Sequence, residues 1–187
     1  MSGVNADEKD GERDGRADFD FFLGRWTVHN RRLTRQLQGS HAWKEFDATS
    51  VVRPILGGLG CIEDVVMDRA SGPREGLTLH LYDPISRQWS LYGADSVRGT
   101  VQTPMVGGFE EGRGTFFGQE TFAGTRIVSR FIWSDITDTS CRWEQAFSAD
   151  GGATWETNWV MEFVRRSQLD STRGGGTTMA GSRQDRP

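Results

Sequence analysis

The sequence predicts an all-β protein: an antiparallel up-and-down meander of about ten strands, closed into a barrel. Short runs in which apolar and polar residues alternate recur along the chain, as in strands with one buried face. Clusters of Gly, Pro, Asp and Ser separate these runs at intervals of roughly 8 to 12 residues, and no long run has a helical period. Closure is favoured because it removes the edges of an aromatic sheet, and a barrel of more than about eight strands can enclose a cavity.

Length and composition indicate one domain. The chain has 187 residues, 35% of them hydrophobic and 11% aromatic, enough for a sizeable core. We expect this domain at 18–166, between disordered tails at 1–17 and 167–187 that have little to bury. A net charge of -4 and a pI near 5.4 argue against a nucleic-acid partner. The sequence shows no apolar run of about 20 residues and no signal peptide, so we expect a cytoplasmic protein without a membrane partner.

The first folded segment is an apolar plug, Phe19 to Leu23, placed directly before Gly24. The first strand starts at Trp26, whose large ring is expected to seal the barrel floor. Side chains two residues apart in a strand share a face. Asn30 and Arg32 therefore share the face of Trp26, and we expect them to point inward near the mouth.

Six further strands are expected before the C-terminal part of the chain. A symmetric turn at 83–86 would place Leu81 opposite Trp89. Asp95 shares the Trp89 face and would reach the interior near a rim. The expected strands are 43–53, 59–68, 75–82, 88–95, 101–109 and 113–122.

The last three strands, within 125–165, have the clearest alternation. Turns at 134–140 and 149–154 would pair them, with Trp133 opposite Cys141 in the first hairpin. One face then carries the rings of Phe131, Trp133, Trp143 and Trp159. A polar row crosses that face: Glu120, Ser129, Gln145 and Thr157. If the face looks inward, these polar groups must bond one another, water or a ligand, because an unpaired buried polar group is costly.

Glu120 and Asp95 are the candidate catalytic acids, since burial would raise the pKa of Glu120 and suit it to general acid or base chemistry. On the opposite face, Arg130, Glu144 and Asn158 form either an exterior ion ladder or, with the faces inverted, a carboxylate-binding pocket. The candidate ligand-binding residues are Trp26, Asn30, Arg32, Ser129, Phe131, Trp133, Trp143, Gln145, Thr157 and Trp159.

The pattern predicts no metal and no cofactor. The three histidines, His29, His41 and His80, include no pair with metal-ligand spacing on one face, and His80 is expected on the face opposite Leu81. Cys61 and Cys141 form no CxxC motif and are expected to be small buried hydrophobes.

Two resemblances follow from these motifs. Gly24-x-Trp26 before a ten-strand meander resembles the calycin superfamily, which includes lipocalins and fatty-acid-binding proteins. The segments LGRWTVHNRRL, RPILGGLG, RFIWSDIT and WEQAFSADGGATWETNWVMEF together resemble the DUF1579-type lipocalin-like family of uncharacterised bacterial proteins, over 18–165. This resemblance implies a barrel but no common activity. Nitrobindins, also calycin-like, hold haem through a histidine near the C-terminal end, and this chain has none after His80, which argues against haem.

Ser148–Trp155 is similar to the Asp-box pattern S-x-D-x-G-x-x-W of sialidase propellers. Those proteins carry several copies, whereas this chain has one. A single copy predicts a structural turn rather than glycosidase chemistry.

We expect the barrel to bind a small hydrophobic or aromatic molecule, because an apolar cavity with a few placed polar groups is the usual form of a ligand site. The alternative is a cofactor-free cyclase or isomerase of secondary metabolism that uses the same cavity with an acidic residue as general acid or base. A third reading is an interaction protein whose barrel is filled by side chains. The oligomeric state stays open, with a homodimer as one alternative.

Overall fold

Ten antiparallel strands form a closed barrel in the computed structural model, which describes residues 14–167. Each strand pairs with its neighbours in the chain, and the first pairs with the last, so the predicted up-and-down meander is confirmed. No helix in this part of the chain is long and apolar enough to span a membrane. The strands are β1 Gly24–Leu33, β2 Trp43–Ile55, β3 Gly60–Met67, β4 Arg74–Asp83, β5 Gln88–Asp95, β6 Met105–Glu110, β7 Arg113–Phe122, β8 Thr125–Ser134, β9 Ser140–Ser148 and β10 Glu156–Arg165.

An aromatic plug fills one end of the barrel, as the sequence predicts. A short 3-10 turn, Asp20–Phe22, sets Phe19 and Phe22 into the core, where they are 2% and 0% exposed. The Phe22 ring meets the Trp133 ring edge to face at 4.7 Å. The Trp26 indole donates a hydrogen bond to the Phe22 carbonyl at 2.8 Å. These contacts make the plugged end the floor of the barrel.

Arg165, the last residue of β10, fastens this plug. Its guanidinium lies 4.2 Å from the Trp26 ring centroid, at cation–π distance. It donates hydrogen bonds to the carbonyls of Leu23 at 2.6 Å, Phe21 at 2.5 Å and Asp138 at 2.7 Å. One side chain therefore joins the plug, the first strand and the last strand.

A second 3-10 turn, Gly15–Ala17, lies against the same end of the barrel, within residues expected to be tail. The Tyr82 hydroxyl accepts from the Gly15 N–H, and the Trp89 indole donates to the Gly15 carbonyl, both at 3.1 Å. Ordered structure thus begins before residue 18. Residues 1–13 and 168–187, the rest of the predicted tails, lie outside the described residues.

One seam of the barrel is short. Strands β5 and β6 share only three residue pairs, from Trp89 opposite Gly107 to Leu91 opposite Met105. The strand expected from residue 101 begins only at Met105, directly after Pro104, which has no N–H for a ladder. Residues 96–104 form a loop at the other end of the barrel from the plug.

Two predicted hairpin registers are wrong. In β8–β9, Trp133 faces Trp143 rather than Cys141, a shift of two residues that keeps every side chain on its predicted face. In β4–β5, Trp89 faces Tyr82 rather than Leu81, because the turn holds residues 84–87. A slip of one residue exchanges the two faces of a strand. His80 therefore looks inward, against expectation.

A β-bulge in β10 changes two further assignments. The register shifts between Thr157 and Trp159, so Thr157 pairs with Ala146 on the outer face. Asn158, predicted to lie outside, is fully buried and accepts a hydrogen bond from the inward-facing Gln145. The expected inward facing of Thr157 and outward facing of Asn158 are both wrong, because a bulge adds one residue to the strand and breaks its alternation.

Candidate functional site

The interior contains a cavity of about 340 Å³ that opens at the end opposite the plug. This volume lies within the usual range of small-molecule sites, roughly 300–1,000 Å³. Aromatic rings of β8, β9 and β10 form one wall; Trp143 meets Phe131 at 4.7 Å and Trp159 at 5.6 Å, both edge to face. The rings that line the cavity from these strands are Phe131, Trp133, Trp143, Phe147, Trp159 and Phe163.

Glu63 is the acidic group that lies deep in this cavity. It belongs to β3, is 6% exposed, and its Oε1 accepts a hydrogen bond from the Ser50 hydroxyl at 2.7 Å. Burial raises the pKa of this carboxyl, while hydrogen bonds from Ser50 and Thr78 oppose the rise. The carboxyl therefore keeps its proton at higher pH than an exposed glutamate and can act as a donor in the cavity wall. The alternation of Cys61, Glu63 and Val65 along β3 could have identified Glu63 as an inward-facing residue.

Glu63 makes stability depend on pH. Its folded pKa lies above the ordinary 4.5, so this contribution is fully present below about pH 4.5 and is lost as the pH rises through the folded pKa. Relative to Glu63→Gln, wild type should lose up to about 1.4 kcal/mol of unfolding free energy per pH unit in that window. Urea unfolding at pH 4 to 7 measures this, with the exposed Glu75→Gln as control. A constant difference between wild type and Glu63→Gln would contradict it.

His80 lines the cavity on the neighbouring strand, β4. It is 1% exposed, and burial lowers its pKa to about 3, so the imidazole is neutral near neutral pH. Its Nδ1 lies 3.3 Å from the Cys61 sulfur. This pair is not an activated nucleophile, because burial raises the pKa of the Cys61 thiol to about 12. Cys61 and Cys141 are both buried and free, as predicted.

Arginines dominate the mouth of the cavity. Four of them line it: Arg32, Arg69, Arg74 and Arg98. Arg74 forms an ion pair with Asp95 at 2.7 Å. The Oδ1 atom of Asp95 also accepts from the backbone N–H groups of Val97 at 2.8 Å and Arg98 at 3.0 Å. Burial opposes ionisation of Asp95, but the two N–H groups and Arg74 outweigh it and lower its pKa. Asp95 lies at the rim as predicted, with its carboxylate already paired.

Arg32 and Arg69 stack on aromatic rings instead. The Arg32 guanidinium lies 4.4 Å from the Trp159 ring centroid, and that of Arg69 lies 3.4 Å from the Phe46 ring centroid. Within residues 14–167, neither forms an ion pair with a carboxylate. Burial and nearby arginines lower both pKa values, that of Arg69 to about 10. Two mutually repelling cations therefore face the mouth.

Glu120 is exposed on the rim, at the end of β7, where it accepts a hydrogen bond from the buried Ser129 hydroxyl. The expected burial of Glu120 is wrong, and with it the desolvation that would have suited this carboxylate to acid or base chemistry. Glu120 remains a lining residue of the mouth.

Eight of the twelve predicted site residues line the cavity: Asp95, Glu120, Arg32, Phe131, Trp133, Trp143, Gln145 and Trp159. Trp26 lies in the floor and Thr157 on the outer face, whereas Ser129 lies behind Glu120. Asn30 also lies behind the wall; its Oδ1 accepts from the Trp159 indole at 3.0 Å, which orients that ring. The sequence did not identify Glu63, His80, Arg69, Arg74 or Arg98 as site residues.

The outer face carries ions in a different arrangement from the one expected. Arg142 bridges Glu144 and Glu162, at 3.1 Å each, whereas Arg130 stacks on Trp155 at 4.3 Å. The predicted ladder through Arg130, Glu144 and Asn158 is therefore wrong, since Arg130 pairs across the sheet with Ala146.

The Asp-box segment is a turn, as predicted. Asp150 accepts hydrogen bonds from the Ser148 hydroxyl at 2.6 Å and from the N–H and hydroxyl of Thr154 at 2.9 and 2.6 Å. These bonds, led by that of Ser148, lower the pKa of Asp150. The carboxylate is thus occupied in holding the turn between β9 and β10.

No protein-family model matches the chain, and no curated protein matches it significantly. The part of the lipocalin-like resemblance that the structure confirms is the closed ten-strand antiparallel barrel. No group of three or more His, Cys, Asp or Glu side chains in the described region is arranged to hold a metal ion.

Proposed function

We propose that this protein binds a small hydrophobic or aromatic molecule inside a lipocalin-like barrel. The observation that carries the proposal is the ring-walled cavity of about 340 Å³, closed by the plug at one end and open at the other. A preformed apolar cavity with a few polar groups is the common form of a ligand site. Seven tryptophans could have filled the barrel, but their side chains leave this space open.

A neutral dye tests the proposal. N-phenyl-1-naphthylamine should bind wild type, with a rise in dye fluorescence and quenching of tryptophan emission. Gly93 lines the cavity, and an added Cβ there would meet only Gln102, at 3.6 Å, so Gly93→Leu should project into the space. We expect this variant to bind the dye at least about tenfold more weakly, because the cavity is filled.

The matched control is Gly108→Leu. Gly108 has no atom within 4 Å of an added Cβ and lies outside the cavity lining. Its dye affinity should stay within about twofold of wild type. Equal weakening by both substitutions would show that the dye does not occupy the cavity, and absence of binding to wild type would refute the proposal.

A second candidate function, a cofactor-free cyclase or isomerase reaction, is favoured by Glu63 and His80. Both line the cavity; burial raises the pKa of the Glu63 carboxyl and lowers that of His80 to about 3, so the imidazole is neutral near neutral pH. Under this proposal Glu63→Gln keeps dye affinity and abolishes turnover of a substrate that wild type converts. Glu120→Gln, at the exposed rim, should keep both.

A further inference from the structure

The charges at the mouth do not balance. Four arginines line it, against the exposed carboxylate of Glu120 and that of Asp95, whose side chain is 14% exposed and is paired with Arg74. The chain as a whole carries a net charge of -4, so this local excess of positive charge runs against the overall charge. Among residues 14–167, neither Arg32 nor Arg69 has a carboxylate within ion-pair distance, and Asp95 acts on Arg32 only from farther away.

Both guanidinium groups are held in place before any ligand arrives. The guanidinium carbons lie over the rings of Trp159 and Phe46, and one Arg69 nitrogen donates to the Met67 sulfur at 3.7 Å. The remaining N–H groups are left for an acceptor. The Arg69 Nε is buried and has no hydrogen-bond partner among residues 14–167. A side chain already fixed by stacking loses little conformational entropy on binding an anion.

The same arginines also border a second hollow of about 370 Å³, on the outer side of the mouth. Its described lining adds the hydroxyls of Ser71 and Ser96 but no carboxylate. Arg32, Arg69 and Arg74 therefore stand between the apolar interior and the outside. A molecule with an apolar body in the barrel would place its polar end among them.

We propose that the ligand is an amphipathic carboxylic acid, with its apolar body in the cavity and its carboxylate held by Arg32 and Arg69. This inference rests on the proposed function and specifies the class of ligand. The arginine fork matches a carboxylate in bidentate geometry. A monoanion is favoured over a phosphate dianion because Asp95 and Glu120 share the rim and repel a second negative charge.

Competition between matched ligands tests this assignment. Decanoate and 1-decanol share the alkyl chain and differ in the head group. At pH 7.5 and low salt, decanoate should displace N-phenyl-1-naphthylamine at least about tenfold more effectively than 1-decanol, because it adds charge-assisted hydrogen bonds. The preference should shrink as salt is added.

Substitution of the arginines should remove the preference. In the double variant Arg32→Met and Arg69→Met, decanoate should compete no better than 1-decanol, whose own affinity stays unchanged. Arg31→Met is the matched control, since Arg31 is an exposed neighbour that pairs with Glu45 at 3.6 Å outside the cavity lining. It should keep the full preference for decanoate.

The Asp95→Asn variant is expected to bind decanoate more tightly, and a misfolded variant would not show such a gain. An asparagine keeps the oxygen that accepts from Val97 and Arg98 but loses the charge that pairs with Arg74. With Arg74 released, decanoate should bind severalfold more tightly and 1-decanol as before.

The outcomes separate this inference from the proposed function. Equal competition by decanoate and 1-decanol in wild type would refute the carboxylate site and leave cavity binding intact. If the dye does not bind wild type, the proposed function is refuted and this inference fails with it. Tighter binding of decyl phosphate than of decanoate, or competition by inorganic phosphate alone, would overturn the choice of carboxylate.

Discussion

The Phe22→Ala variant is expected to lose about 3–5 kcal/mol of unfolding free energy, because it removes a ring from a fully packed site. Phe22 is 0% exposed and contacts the rings of Trp26, Trp133 and Phe163. Since domains of this kind are typically stable by only about 5–15 kcal/mol, the variant should unfold at much lower urea concentration.

Phe117→Ala is the control for the loss of Phe22, because it makes the same chemical change on the outer face, at a side chain that is 47% exposed. It should cost less than about 1 kcal/mol. Similar losses in the two variants, measured by urea unfolding at 25 °C, would show that the plug does not contribute to the core.

Arg165→Met is expected to lower the unfolding free energy by about 3 kcal/mol. The substitution removes the charged donor that serves the carbonyls of Phe21, Leu23 and Asp138, and it ends the cation–π contact with Trp26. Each charge-assisted hydrogen bond is worth roughly 1.5–3 kcal/mol, and such contributions are less than additive within one network.

Arg166→Met is the control for Arg165, since the adjacent residue is exposed and its N–H bond to the Arg25 carbonyl is kept after substitution. Its effect should stay within about 0.5 kcal/mol. The contribution assigned to Arg165 would be wrong if both variants unfolded at the same urea concentration.

The sequence predicted the barrel and the inward aromatic face of its last strands, because alternation there is strong and the Ala123-Gly124 turn between β7 and β8 fixes the register. The sequence did not predict which side chains face inward where the position of a turn or a bulge decides this. The turn lies one residue later than expected, so Asp83 pairs with Gln88 and His80 faces inward; the bulge at Asn158 broke the alternation that placed Thr157 inside. Neither event leaves a distinct signal in one sequence.

The aromatic wall of the candidate site was predicted, whereas three of the four arginines at its mouth were not. Phe131, Trp143 and Trp159 follow from period-two patterns. Arg69 and Arg98 belong to connecting segments, where no period says which way a side chain points. Glu63 could have been found from the alternation of β3, but Asp64 beside it made the choice of acid depend on which face of that strand looks inward.

Joining the first strand to the last has a consequence for how the chain is made. Thr27 and Val164, cross-strand partners in the β1–β10 pair, stand 137 positions apart. Because the ribosome synthesises the N-terminal residues first, one edge of β1 has no hydrogen-bonding partner until β10 has been synthesised. Partners so distant in sequence also meet slowly. The nascent protein is thus most liable to self-association in the interval before its final strand is synthesised.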